Sequence, residues 1–122
     1  MKGTDTGDLG YGSLDGPDDR QSRNNSRLEH FIRMLSDDDD INRWKGAEAL
    51  GRIGDPRAVD DLIGTLWDDD SRVRLKAAWA LGRIGDQRAY APLQRLYRME
   101  NEEARDIITE ALENIRRGMN RQ

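Results

Sequence analysis

Cysteine is absent from the 122-residue chain, and His30 is its only histidine. Composition therefore excludes disulfides, thiolate nucleophiles and metal sites built from cysteines or several histidines. No apolar run approaches the roughly 20 residues that a membrane-spanning helix needs. A net charge of −4 disfavours binding to phosphate backbones. We expect neither a nucleic-acid nor a membrane partner. Since the N-terminus also lacks the apolar core of a signal peptide, we expect a cytoplasmic location.

Residues 1–25 differ in composition from the rest of the chain. They contain five glycines and five aspartates, and few large apolar side chains. Such a segment cannot bury enough apolar surface to offset the entropy lost on ordering. We therefore expect a flexible tail over 1–25 and a folded domain over 26–122.

The folded domain consists of copies of one segment. When residues 37–67 are aligned with residues 68–98, 16 of the 31 positions are identical. The same register continues on both sides of these two copies. A fixed period of this length is typical of stacked helical repeats.

Each 31-residue repeat reads as two antiparallel helices. In the first copy, Ala47, Leu50 and Ile53 share one helical face with Trp44. Gly54 stands where a left-handed C-terminal cap is needed, and Asp55 and Pro56 suit the start of a second helix. The pattern predicts an all-α fold of about six helices, at residues 26–36, 40–53, 56–67, 71–84, 87–99 and 102–117.

Glycines within the first helices indicate close helix packing. Gly46, Gly51 and Gly82 each cost roughly 1 kcal/mol of helix propensity, so we expect neighbouring helices to approach closely there. In the last helix, polar residues (Asp106, Thr109 and Glu113) replace the apolar or small ones of the preceding copy, as expected for a terminal layer. Three alternatives remain for the N-terminal flank, which is the apolar side of the predicted helix 26–36 that has no preceding helix to pack against. It is bare, it is covered by Leu9, Tyr11 and Leu14, or it meets another chain by self-association.

The segment Ala-Glu-Ala-Leu-Gly-Arg-Ile-Gly-Asp-Pro-Arg-Ala, at residues 47–58, recurs with few changes at residues 78–89. It resembles the short HEAT-like repeats typified by phycobilisome bilin lyase subunits. The resemblance covers roughly residues 26–117 and implies a right-handed α-solenoid whose second helices line the concave side. The family includes protein-binding scaffolds, bilin lyase subunits and the di-iron enzyme deoxyhypusine hydroxylase, among which fold alone does not choose.

The hydroxylase carries His-Glu iron ligands on its first helices. The matching positions here are Trp44-Lys45, Leu75-Lys76 and Asp106-Ile107, and a lysine ammonium cannot replace a carboxylate ligand. That activity is excluded. A subunit of a bilin lyase, or a chaperone of a pigment protein, stays as the alternative to a protein-binding module. We expect no cofactor and no metal.

The charged residues that recur are expected to be structural. The aspartate runs at 37–40 and 68–70 lack the spacing of a calcium loop and suit turns and helix N-caps. The resemblance implies that Asp55 with Arg57, and Asp86 with Arg88, form a ladder between layers. Arg43, Arg74 and Arg105 are expected to pair with acidic groups or to cap carbonyls. His30 is expected to be exposed and without a catalytic task.

The positions where the repeats differ are free to specify a partner. Trp67 and Trp79 stand at repeat positions where the other copies carry polar residues. These tryptophans either anchor an interface or pack over a neighbouring loop. The expected partner-binding residues are Glu29, Arg33, Asp60, Ile63, Trp67, Trp79, Gln94, Arg95, Tyr97 and Arg98. The sequence thus predicts a non-catalytic adaptor, scaffold or accessory subunit that binds another protein on the concave side of the solenoid.

Overall fold

The computed structural model describes residues 17–120, with side chains from Arg20 onward, and this part contains six α-helices. These are α1 (Pro17–Met34), α2 (Asp40–Ile53), α3 (Val59–Thr65), α4 (Ser71–Ile84), α5 (Tyr90–Met99) and α6 (Glu102–Asn120). Short 3₁₀ turns at Pro56–Ala58 and Gln87–Ala89 lead into α3 and α5. Within residues 17–120 there is no strand, and the predicted all-α fold is confirmed.

The chain divides into two compact units, Met1–His30 and Phe31–Gln122. Of the first unit the structure describes residues 17–30, which are helical and include the buried Leu28. Because α1 begins at Pro17, the boundary that we expected at residue 25 falls inside a helix. Residues 1–16 of the tail that we expected over 1–25, and the alternative in which Leu9, Tyr11 and Leu14 cover the N-terminal flank, lie outside the described residues.

The first helices, α2 and α4, have the limits that the sequence predicts. Asp39 accepts a hydrogen bond from the Ile41 N–H at 2.8 Å and so caps α2. At the other end Gly54 has a φ of 75°, a left-handed conformation that glycine adopts without the steric cost of a side chain. Asp70 and Gly85 occupy the same places around α4.

The second helices begin differently from the prediction. We expected regular helices from residues 56 and 87, but the first turn of each is 3₁₀. Asp55 accepts the Arg57 N–H at 2.9 Å through its side chain, and its carbonyl accepts the Ala58 N–H at 3.1 Å. This bond spans three residues instead of four, which tightens the turn before α3 begins.

The first helices stack closely at their small residues. A Cβ atom on Gly51 would lie 2.9 Å from the Cα of Ala80, and one on Gly82 would lie 2.7 Å from the Cα of Ala111. These distances join α2 to α4 and α4 to α6, so the expected close approach is confirmed. A Cβ atom on Gly46 would likewise lie 2.9 Å from the Phe31 carbonyl oxygen. Any larger residue would push the layers apart.

The core of the second unit lies between the layers. Helix α3 packs against α4, and α5 packs against α6. Leucines that recur at 31 residues, such as Leu50, Leu62 and Leu81, have no exposed surface. Ile53, which we expected on the buried stripe of α2, is instead 40% exposed because it lies in the last turn. On α6 the polar residues Asp106, Thr109 and Glu113 are exposed, as expected of a terminal layer.

Candidate functional site

Recurring arginines link each layer to the next. Arg43 donates to the carbonyl oxygen of Asp37 at 2.8 Å and forms an ion pair with Asp68 at 2.8 Å. Arg74 repeats this arrangement with the carbonyl of Asp68 and the carboxylate of Glu100, which is 2.7 Å away. Arg105 donates to the Tyr97 carbonyl at 2.8 Å. The prediction that these arginines pair with acids or cap carbonyls is confirmed.

The aspartate–arginine pairs at the turns form local ion pairs, and at Arg88 they also make the contact between layers that the resemblance implied. Asp55 pairs with Arg57 at 2.8 Å, and Asp86 pairs with Arg88 at 2.9 Å, each within one turn. Arg88 also reaches the previous layer, where it donates to the Pro56 carbonyl at 3.1 Å. Arg88 also forms an ion pair with Asp60 of the previous layer at 3.4 Å. The more buried connection is the series that begins with Arg43, because the side chains of Arg43 and Arg74 are 15% and 23% exposed, against 49% for Arg88.

The aspartate runs act as helix caps, as predicted. Asp70 accepts the Arg72 N–H at 2.8 Å, and the Arg72 guanidinium holds the pKa of Asp70 well below its usual range. Burial raises the pKa of Asp68, but the hydrogen bonds from Arg43 and from the Asp70 N–H outweigh it and leave a lowered pKa. Within the described residues, no group of three or more His, Asp or Glu side chains could hold a metal ion.

An aromatic and basic cluster lies across the first helices α2 and α4. The ammonium of Lys76 lies 4.7 Å from the ring centre of Trp44 and 4.4 Å from that of Trp79. It also pairs with Glu48 at 2.8 Å. Trp79 packs directly on Gly51, where an added Cβ would come within 2.5 Å of the indole. The cluster is held by cation–π and ionic contacts together, and both indoles are half-buried.

A cavity of about 340 Å³ adjoins this cluster through Trp44. Its apolar lining comes from Ile41, Trp44 and Val73, and its polar lining comes from Asp40, Asp70 and Arg72. Ile41 is 55% exposed at its edge, so the cavity is bordered by apolar surface that faces water. We call this cavity, bounded by α2 and α4, the apolar cavity.

Most of the predicted partner residues lie on or directly after the second helices. Eight of the ten are exposed: Glu29, Arg33, Asp60, Trp67, Gln94, Arg95, Tyr97 and Arg98. Ile63 is half-buried. Trp79 belongs to a first helix and contacts Gly51 across the layer boundary, which separates it from this set.

Three of the predicted residues share a second cavity. Gln94, Tyr97 and Arg98 line a groove of about 310 Å³ between α5 and α6, together with Tyr90 and Arg116. The two tyrosines there are engaged by arginines, since Arg116 donates to the Tyr90 hydroxyl at 2.6 Å and Arg105 stacks on Tyr97 at 4.8 Å. Two of the aromatic side chains that line this groove are therefore already held by arginines of the chain itself.

Sequence reasoning missed Ile41 and Trp44 as surface residues. Trp44 shares a helical face with Ala47 and Leu50, so the periodicity assigned it to the core. The signal that could have shown this is the repeat position of Ile41, which is occupied by Arg72 and Glu103 in the next two copies. A column filled by charged residues in two repeats indicates an exposed position in the third.

Antiparallel helix pairs that stack in register, with the same caps every 31 residues, define a helical-repeat protein of the α-solenoid class. The family follows from a comparison with known families, in which the profile of HEAT repeats matches residues 28–113. The chain therefore belongs to the HEAT-repeat family. The match does not single out the lyase-type repeats, so that finer resemblance stays a prediction. No curated protein matches the chain.

HEAT repeats in general mediate protein–protein interactions. Among the helices of residues 17–120, none is long and apolar enough to cross a membrane.

Proposed function

We propose that this HEAT-repeat chain is a non-catalytic protein-binding module, an adaptor, scaffold or accessory subunit, and that it binds its partner on the face of α2 and α4. The observation that supports this choice is the cluster in which Lys76 lies between Trp44 and Trp79, next to the apolar cavity. Half-buried tryptophans beside a cavity suit an interface centre, because the residues that dominate binding energy are enriched in tryptophan.

Rigidity makes this face suited to binding. Trp79 is fixed against the backbone of α2 at Gly51, and the side chains of Lys76 and Glu48 are only 21% and 22% exposed. Side chains that are already ordered lose little entropy when a partner binds. The face therefore requires no rearrangement before it makes contact.

Ile41 supplies apolar surface that is available to a partner. More than half of its surface is in contact with water, at the edge of the apolar cavity. Complete burial of such a side chain contributes about 1.5–3 kcal/mol. A partner side chain that enters the cavity would cover Ile41 and remove it from water.

The surface of the second helices stays a separate prediction. It presents the exposed aromatic residues Trp67 and Tyr97, together with exposed and mostly charged residues, namely Asp60, Gln94, Arg95 and Arg98. Exposed charges of mixed sign contribute little affinity, although they guide orientation. The concave-side interface that the resemblance implied depends on these residues, and the experiment below tests it directly.

The test is affinity capture from native lysate with three variants of matched character. Ile41→Gln removes apolar surface from the proposed face, and Met99→Gln makes the same change at a methionine that is 72% exposed elsewhere. Arg95→Glu reverses a charge on the second helices. We expect Ile41→Gln to weaken capture of the partner about tenfold, with the other two unchanged.

Equal unfolding midpoints of the variants confirm that capture reports on binding alone. If Arg95→Glu abolishes capture while Ile41→Gln retains it, the second helices carry the interface and the proposed face is wrong.

A further inference from the structure

We propose that the face of α2 and α4 recognises a basic segment of its partner that carries an apolar anchor. The anchor enters the apolar cavity, and lysine or arginine side chains next to it contact the acidic rim, which we define as Asp38, Asp39, Asp40, Asp69 and Asp70. This inference rests on the proposed function and names the chemistry of the partner.

The apolar cavity has the size and lining of an anchor site. Its volume of about 340 Å³ lies at the lower end of the range of ligand pockets, roughly 300–1,000 Å³. Ile41 and Val73 come from equivalent turns of adjacent repeats and form apolar walls with Trp44. Such a space accepts one bulky apolar or aromatic side chain.

An acidic cavity shares residues with the apolar one. It has a volume of about 480 Å³, and Asp38, Asp39, Asp40, Arg43, Asp69 and Asp70 line it. Asp40 and Asp70 line both cavities. Because the two cavities adjoin, the anchor and the basic residues of a partner lie next to each other or one helical turn apart.

The local charge is strongly negative. Seven aspartates, at 37–40 and 68–70, surround two arginines, Arg43 and Arg72. The two helix N-termini add roughly half a positive charge each and do not balance the aspartates. Asp69 is 93% exposed, and the side chain of Asp40 is 41% exposed.

The two arginines of this region are already engaged by the chain itself. Arg43 is held by Asp68 and by the Asp37 carbonyl, and Arg72 is held by Asp40 and Asp70. They are not free to bind an acidic partner. Asp69 also contacts Arg43, at 3.2 Å, and Asp40 contacts Arg72 at the same distance, yet their side chains stay 93% and 41% exposed and keep carboxylate surface facing water. Charge complementarity therefore favours a cationic partner and opposes an acidic peptide or a nucleic acid.

The probe is a short fluorescent peptide with a central Leu-Trp pair and two lysines on each side. One control peptide has glutamates in place of the lysines, and another has Ser-Gly in place of Leu-Trp. Binding to the full chain is measured by fluorescence anisotropy. We expect the lysine peptide with its anchor to bind about tenfold more tightly than either control, and its affinity to fall as salt is raised.

Two matched double variants locate the binding. Asp38→Asn with Asp69→Asn removes charge from the acidic rim, and Asp60→Asn with Asp61→Asn removes the same charge from exposed positions of α3. Only the first pair of substitutions should weaken binding of the lysine peptide, by about threefold to tenfold. An equal effect of both pairs, stronger binding of the glutamate peptide, or no binding of the lysine peptide below about 1 mM overturns the inference.

The captured partner distinguishes this failure from failure of the proposed function. If Ile41→Gln abolishes capture but Asp38→Asn with Asp69→Asn has no effect, the face binds a partner that is not basic. In that case the proposed function stands and the inference about charge is wrong.

Discussion

Single atoms decide how closely α2 and α4 approach, and Gly51 is the clearest case. Glycine within a helix is intrinsically unfavourable by about 1 kcal/mol relative to alanine. A Cβ at this position would lie 2.5 Å from the Trp79 indole and 2.9 Å from the Ala80 Cα. The cost of glycine is therefore offset by the packing of two layers and by the position of Trp79.

Gly51→Ala is expected to destabilise the fold although alanine is the better helix former. Overpacking against the Ala80 backbone should lower the free energy of unfolding by about 1–3 kcal/mol. Gly64→Ala is the matched control, because nothing lies within 4 Å of a Cβ placed there. That variant should gain about 0.5–1 kcal/mol. Urea denaturation measures both, and a stabilised Gly51→Ala would refute the packing argument.

Asp55 caps the 3₁₀ turn between α2 and α3 through its carboxylate. Its side chain accepts hydrogen bonds from the Arg57 guanidinium and from the Arg57 N–H, and these bonds lower the pKa of Asp55 despite its partial burial. A carboxyl with a lowered pKa in the folded state stabilises that state above its unfolded pKa of about 3.9. This contribution is lost as the pH falls through the folded value.

Acid should therefore weaken the fold partly through this cap. We expect the urea midpoint of the native chain to fall as the pH drops below about 5, and Asp55→Asn to reduce the slope of that fall. Asparagine still caps a helix, whereas alanine does not, so Asp55→Ala should lose stability at every pH, by about 1 kcal/mol at neutral pH. An unchanged slope in Asp55→Asn would show that the carboxylate contributes nothing to the acid response.

At the scale of the whole molecule, α6 differs from the preceding first helix by its exposed polar residues. In α6 the side chains of Asp106 and Glu113 face water at the columns where α4 has Leu75 and Gly82. A helical-repeat array whose last layer kept apolar residues there would expose an unfinished interface. We therefore expect the polar residues of α6 to disfavour the packing of another apolar surface on this side.

Restoring apolar residues at this end should cause self-association. Asp106→Leu with Glu113→Leu is expected to raise the mass measured by light scattering as concentration increases. Asp60→Leu with Asp61→Leu adds the same apolar surface on α3, which is not the end of the stack, and should associate less. If both double variants associate equally, nonspecific hydrophobic association explains the result, and the outer side of α6 has no special role.

The amino-acid sequence alone determined the features that depend on neighbours along the chain. The 31-residue period, the limits of α2 and α4 and the caps at Gly54 and Asp55 all follow from local residue preferences that two copies repeat. Packing glycines could be recognised for the same reason, since an unfavourable residue at a repeated position indicates a repeated contact. The early start of α1 and the 3₁₀ turns were missed, because weak propensities and hydrogen-bond geometry decide them.

Only the tertiary structure decided which side chains form the candidate surface. Trp44, Lys76 and Trp79 come together because Gly51 allows α4 to approach α2, and Ile41 meets Val73 across the same boundary. The α2 residues of this surface are more than 30 positions from the α4 residues that they meet, and these contacts depend on the rotation of one helix against the next. Periodicity indicates which face of a helix is buried, to within about one residue. A cavity between two helices depends on shifts of a few ångströms, which residue preferences do not encode.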